Sequence, residues 1–244
     1  NKGKLIISII ILAIVTILLI LFANNWRNKT IINRITIKGN ITLSESEIYA
    51  AAGLKADSLI NLEELNLVFI RDRIAKHPEI KKVLVSKEPP SELIIEITEK
   101  KPIAIILKKN ELFLIDEEQE IFPVKNYDKA FDLPIISGLN ADETKNKADI
   151  DMAINFLKVV YSSGKYLQNL ISEINMKDTT KIIVKTNDIL IPFYFPRIDN
   201  KGFDLYKEKL SLFKDFIDDE IMRKNLNCEY VDLRYTNQII AKIN

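Results

Sequence analysis

The sequence predicts an α+β protein carried on a single apolar N-terminal helix, and three observations support this. From Leu5 to Ala23 no residue is charged, and only Ser8 and Thr16 are polar. The segments that follow read strand, helix, helix, strand, strand. The rest of the chain is rich in short strands, with two amphipathic helices set among them.

At helical rise the apolar run spans about 28 Å, close to the ~30 Å hydrocarbon core of a bilayer. Lys2 and Lys4 precede it, and Asn24, Asn25, Trp26, Arg27 and Lys29 follow it, a polar and aromatic boundary of the kind found at headgroups. A cleavable leader would have an apolar core of about 7–15 residues and a small-x-small cleavage site. This run is longer, and Leu21-Phe22-Ala23 makes a poor site. The reading is therefore a tail at residues 1–4, a transmembrane helix at 5–23 and a polar linker at 24–30. The chain opens on Asn1, so the tail is read as cut short upstream. Lys2 and Lys4 are outnumbered by Arg27, Lys29, Arg34 and Lys38, which leans towards an outside N-terminus. Large following domains translocate largely regardless of charge, so the count does not set direction.

Lys+Arg 35 against Asp+Glu 34 leaves a net charge of +1, which removes any bulk electrostatic case for nucleic acid. One cysteine, Cys228, excludes an internal disulfide framework. Gly 6 and Pro 8 are too few for low-complexity linkers.

Ile31 to Lys38 alternates, with Ile35 and Ile37 on one face, and ends at Gly39-Asn40. Ser44 and Glu47 form a capping box, with Leu43 and Ile48 at the staple positions, opening a helix that stops at Gly53. A second helix fits Leu67 to Lys76, capped by Asn66, with Leu67, Ile70 and Ile74 on one face and Pro78 beyond its end. Val83 and Val85 mark a strand, Pro89-Pro90-Ser91 a turn, and Leu93, Ile95 and Ile97 another strand. Three strands with two helices on one face make a compact unit over residues 31–102.

From residue 103 to 244 a second domain is expected. Ile103 to Leu107, Leu112 to Ile115, Ile121-Phe122, Ile171 to Met176, Ile182 to Val184 and Ile189 to Phe195 read as strands. One helix carries Ile150, Ala153, Ile154, Leu157 and Tyr161 on one face, with Gly164 past its end. A helix from Leu205 to Met222 carries two stripes, Tyr206-Leu210-Phe213-Ile217-Ile221 and Leu205-Leu212-Phe216, so it is buried on more than one side. The chain closes on Tyr230 to Tyr235, a turn at Thr236-Asn237-Gln238, and a last strand from Ile239 to Ile243.

Several of these segments together resemble a known family. Ile35-x-Ile37-x-Gly39-Asn40, His77-Pro78-x-Ile80, Val83-x-Val85 and the Pro89 to Ile97 turn and strand look like a POTRA domain. Glu99-Lys100-Lys101-Pro102-Ile103-Ala104, Leu133-Pro134-Ile135-Ile136-Ser137-Gly138 and Val231-Asp232-Leu233-Arg234-Tyr235 extend the likeness to the bacterial cell-division family FtsQ/DivIB. Departures are Lys100 where the family has Arg, Glu79 where an apolar residue is common, and Asn187-Asp188 and Pro192 to Pro196 in place of glycines. Thr236-Asn237-Gln238 stands where Gly is usual.

Chemistry is poorly supported. His77 is the only histidine, and it sits at a helix end before Pro78, where a capping role suffices. Ser162-Ser163-Gly164-Lys165 satisfies S-x-x-K, but Lys185-Thr186-Asn187 is not K-T-G and no S-D-N exists. The acidic runs Asp116-Glu117-Glu118-x-Glu120 and Asp218-Asp219-Glu220 read as a turn and a solvated helix face. No Cys/His cluster has zinc spacing, so no cofactor or metal is expected.

Binding is better supported, because an unpaired strand edge is a template for a partner strand. The last strand either completes the core sheet or leaves such an edge, and the two are compatible. The resemblance implies a non-enzymatic divisome scaffold in the cytoplasmic membrane, N-terminus inside, body outside, enriched at the septum. It also implies that Arg234, Tyr235, Ile239, Ile240, Ala241, Lys242 and Ile243 receive FtsB and, through it, FtsL. Two other readings compete. One is a POTRA-bearing component of envelope protein export, which would normally carry a barrel or repeated POTRA units. The other is an anchored envelope hydrolase or transpeptidase using Ser162.

Overall fold

The computed structural model describes every residue except 1, 28–30, 33, 56–59, 62–64, 89–90, 109–110, 125–130, 140–142, 199–201, 225, 237 and 244. The expected turns at Pro89-Pro90 and at Asn237, and the end of the linker at residues 28–30, lie outside the described residues. The chain divides into two compact units, Asn1–Lys100 and Lys101–Asn244.

The first unit opens with α1 (Lys2–Arg27), so Asn24 to Arg27, expected in the linker, are helical instead. Every described side chain from Ile6 to Ala23 is exposed, as an apolar helix without protein neighbours must be. Thr16 is accommodated there because its Oγ1 donates to the Leu12 carbonyl at 2.7 Å. This helix has the length and apolarity to cross a membrane once.

β1 (Ile31–Ile32) pairs with β3 (Ile60–Asn61), a two-stranded piece too short to read from sequence. β2 (Arg34–Lys38), β4 (Ile80–Glu88) and β5 (Glu92–Glu99) form a sheet in the order β2-β5-β4. β2 runs parallel and β4 antiparallel to β5. Ile35, Ile37, Val83, Val85, Leu93, Ile95 and Ile97 share one face, and α2 (Glu45–Ala52) and α3 (Leu67–Ile74) pack Ile48, Ala52, Ile70 and Ile74 onto it.

The capping signals hold as read, although α3 stops at Ile74, two residues short of the expected Lys76. Ser44 and Glu47 exchange the two capping bonds, and Asn66 Oδ1 accepts the Phe69 amide at 3.1 Å. Gly39 has φ +83° at the end of β2, and a Cβ there would lie 2.1 Å from the Ile97 carbonyl oxygen, so only glycine fits. Glu99 joins the sheet to the loop before α2. Its carboxylate accepts the amides of Ile41, Thr42 and Leu43 at 2.8–3.0 Å and the Thr42 hydroxyl at 2.5 Å. Burial alone would raise the Glu99 pKa, but these donors hold it below the ordinary value.

The second unit is built on a nine-stranded sheet. Its strands in chain order are β6 (Pro102–Lys108), β7 (Glu111–Asp116), β8 (Ile121–Pro123), β9 (Ile135–Ser137), β10 (Ile171–Asn175), β11 (Lys181–Thr186), β12 (Phe193–Pro196), β13 (Cys228–Asp232) and β14 (Ile240–Ile243). They lie side by side as β14-β13-β12-β11-β10-β9-β6-β7-β8. The pairs β9–β10, β6–β9 and β12–β13 are parallel, and the rest are antiparallel.

α4 (Glu143–Ser162), α5 (Lys165–Leu170) and α6 (Phe203–Phe216) build one core with the sheet. Ile106, Ile136, Ile174, Ile182, Val184, Phe193, Phe195 and Val231 supply its strand side. At its centre Phe156, Phe193, Phe195, Tyr206 and Phe213 meet edge to face, with ring centroids 4.7–5.6 Å apart. Tyr161, on the expected face of α4, donates its hydroxyl to the Ile103 carbonyl at 2.8 Å.

Three expectations need correction. The strand expected from Ile189 to Phe195 begins only at Phe193. Thr186 Oγ1 donates to the Ile189 carbonyl and accepts its amide, which turns the chain, and Pro192 has no amide for a ladder. The helix expected from Leu205 to Met222 begins at Phe203, and its α-helical part stops at Phe216. A π-helical stretch, Ile217–Arg223, continues it, with Arg223 paired to Asp219 and Lys224 to Glu220. The second domain was read with two helices, and α5 is a third, pinned by Gln168 Nε2 donating to the Tyr161 carbonyl at 2.8 Å.

Candidate partner-binding edge

The expected site residues gather at one end of the nine-stranded sheet, and each is positioned by its neighbours. Val231 and Leu233 are fully buried, and their amides donate to the carbonyls of Pro192 and Tyr194 at 3.1 and 2.9 Å, locking β13 to the β12 side. Asp232 points to the other face, yet it is also buried. Its carboxylate accepts the Arg234 amide at 3.1 Å, Nε at 3.0 Å and Nη2 at 2.7 Å, a two-pronged clamp. Burial alone would raise the Asp232 carboxyl, but the Arg234 bonds outweigh it and hold the pKa below the ordinary value. Arg234 is thus committed internally on its Asp232 side, and its side chain is only partly exposed.

Tyr235 is different. Its carbonyl accepts Lys209 Nζ at 2.6 Å, while its side chain is left 47% exposed. β14 then runs antiparallel to β13, with Tyr230 opposite Lys242, Val231 opposite Ala241 and Asp232 opposite Ile240. Opposite residues share a face, so Ile240 and Lys242 lie on the side away from the core. Ile239 and Ala241 pack against the core. Ile240 is 42% and Ile243 66% exposed, and Lys242 pairs with Glu229 at 2.6 Å. Among the described residues no strand pairs with the outer side of β14.

The face that carries Ile240 and Lys242 continues inward as a stacked row. Tyr230 stacks on Tyr194 with centroids 5.0 Å apart, and Lys181 Nζ sits 3.9 Å from the Tyr194 ring centre. Sequence reasoning missed this row and missed Lys209. The signal for Lys209 was available: it lies inside the apolar arc of α6, three residues after Tyr206 and beside Leu210.

The remaining chemical candidates have structural partners. Ser162 donates its hydroxyl to the Val159 carbonyl at 2.8 Å, where it ends α4. His77 Nδ1 accepts the Glu79 amide at 3.4 Å, beside the end of α3. Asp116 accepts the amides of Glu118 and Glu120, and Asp218 accepts the Tyr166 hydroxyl at 3.0 Å. Among the described residues no group of three or more His, Cys, Asp or Glu side chains is placed to hold a metal ion.

A three-stranded unit with two helices on one face and a long mixed sheet ending on an open strand, behind an N-terminal helix long and apolar enough to cross a membrane, define a protein of the POTRA-bearing class. Residues 31–100 match the model of the POTRA domain, FtsQ-type, and residues 101–242 match that described as FtsQ/DivIB, C-terminal related. The chain belongs to the FtsQ/DivIB family of cell-division proteins.

Similar proteins agree over most of the length. Cell division protein FtsQ of Syntrophotalea carbinolica is 25% identical over 228 residues, covering 91% of this chain and 76% of that one. Cell division protein FtsQ of Geotalea daltonii is 24% identical over 217 residues, covering 86% and 75%. Cell division protein DivIB of Weissella koreensis is 26% identical over 216 residues, covering 80% and 71%.

Proposed function

We propose that this protein is a non-enzymatic scaffold of the division machinery that captures a partner by adding its strand to β14. The family carries a role in cell division, and the observation that supports this particular mechanism is the open outer side of β14. An incoming strand would gain ladder hydrogen bonds for affinity, and its side chains would meet Ile240 and Ile243 for apolar contact and Lys242 for charge. Tyr235 supplies an exposed aromatic anchor beside it. The partners we assign are the small membrane-anchored division proteins FtsB and, through it, FtsL.

In this reading α1 holds the N-terminus in the cytoplasm and the two units outside, concentrated at the septum. The first unit serves recruitment. Tethering partners to one bilayer raises their effective concentration, so a short strand contact suffices. Ala241 stands opposite Val231, whose amide is spent on Pro192, so the Ala241 amide faces the open side while Ile240 faces β13. The test is therefore capture of FtsB by the full chain and by an Ala241→Pro variant. Weakened capture with an intact fold supports strand addition, and unchanged capture overturns it.

A further inference from the structure

Lys209 is the most unusual side chain in the second unit. It is 1% exposed, although lysine is among the residues least often buried completely. Its terminal nitrogen has three donors, and its close partner is the Tyr235 carbonyl at 2.6 Å. The Glu208 carboxylate is farther, at 3.9 Å, on a side chain half in solvent. The surrounding side chains of α6, Tyr206, Leu210 and Phe213, are apolar core. An apolar side chain of the same volume would fill this place with less desolvation, since replacing a buried ionic group by a well-packed hydrophobe is often neutral or stabilising. Packing therefore does not explain a lysine here, but the position of its one close bond does.

That bond falls between two segments with different supports. Up to Leu233 the chain is held by the β12 carbonyls, and Arg234 is held by Asp232. From Ile240 onward it is held by the β13 ladder. Tyr235 begins the crossing between them, and its backbone is fixed by Lys209 from the core side. We propose that Lys209 is a positioning residue: it pins the Tyr235 backbone, and so sets both the outward aim of the Tyr235 ring and the start of the turn that delivers β14 to the sheet edge. It touches no partner itself. Its consequence for capture rests on the strand-addition reading, whereas its effect on the turn belongs to the free chain.

The experiment is hydrogen exchange on the full chain in lipid nanodiscs, comparing the native protein with Lys209→Met and Lys209→Arg. In the methionine variant the amides of Ile240 and Lys242, which face β13, are expected to exchange at least tenfold faster, with β10, β11 and β12 unchanged. Lys209→Arg keeps a donor and restores at least part of the protection. Equal exchange in the methionine variant overturns the proposal. So does its global unfolding, which would make Lys209 a pillar of the whole unit. FtsB capture is measured on the same samples. Faster exchange with reduced capture supports both inferences, and faster exchange with unchanged capture leaves the positioning role standing but sinks strand addition at β14.

Discussion

Both edges of the nine-stranded sheet end on a strand with one side unpaired among the described residues, but they differ in how much they offer a partner. At one edge β8 has only three residues, ends on Pro123, and buries Phe122 in a small cluster with Leu114 and Val124. A short strand ending on proline offers few ladder groups, which is how natural sheets blunt an edge. At the other edge β14 has no proline, exposes Ile240 and Ile243, and is delivered by a turn fixed through Asp232–Arg234 and Lys209–Tyr235. Its one blunting feature is the charge of Lys242, which Glu229 already pairs. An edge that is open yet held in place from its own core is built differently from one merely left over at the side of a sheet. That difference is why we assign capture to β14 and not to β8.

The comparison can be broken by substitutions, of which Ala241→Pro, at an amide that faces the open side, should act most strongly. Removing a ladder donor and straining the edge should lower FtsB affinity by roughly ten- to a hundredfold in a binding titration. Tyr235→Ala should follow, with a loss of about ten- to thirtyfold, the size typical of a buried aromatic anchor. Its melting temperature should stay within about 2 °C of the native value, because the ring is exposed in the free chain.

Acid should act next. The Asp232 carboxyl is held below its ordinary value, so its contribution is fully present above the unfolded aspartate value of about 3.9 and is lost as pH falls through the depressed folded value. The Asp232 contribution to capture and to the second unit's thermal stability should therefore be full at neutral pH and be lost only in the acid range, as pH falls past about 3.9 towards the depressed value. Asp232→Asn should weaken capture severalfold at neutral pH and remove that acid step from the second unit's melting profile. The smallest effect is the sharpest control: Ile121→Pro on β8 should change FtsB affinity by less than about twofold. A loss there comparable to that of Ala241→Pro would mean that the two edges are equivalent.

Much of this arrangement was legible in the chain because the signals are local. The Ser44–Glu47 capping box, the Gly39 and Gly53 stops and the α4 stripe each depend on residues a few positions apart. The end strand was legible from its placement after Tyr230 to Tyr235, and both readings of it hold, since one side pairs with β13 while the other is open. What escaped depends on distant partners or on length. β1 and β3 are two residues each, and α5 is six, below the span at which periodicity speaks. The apolar run Ile189-Leu190-Ile191 resembled a strand, but the Thr186 side chain competes for its backbone. The place of Lys209 inside the apolar arc of α6 was visible in the chain, but its partner was not, because only the fold brings Tyr235 to it from 26 positions away.

Strand capture at β14 is put to its sharpest test by placing a photo-crosslinking benzoylphenylalanine at residue 240 or at residue 121 in dividing cells. It predicts a crosslink to FtsB from residue 240 and none from residue 121. A crosslink from residue 121 alone, or equal crosslinking from both, would contradict it.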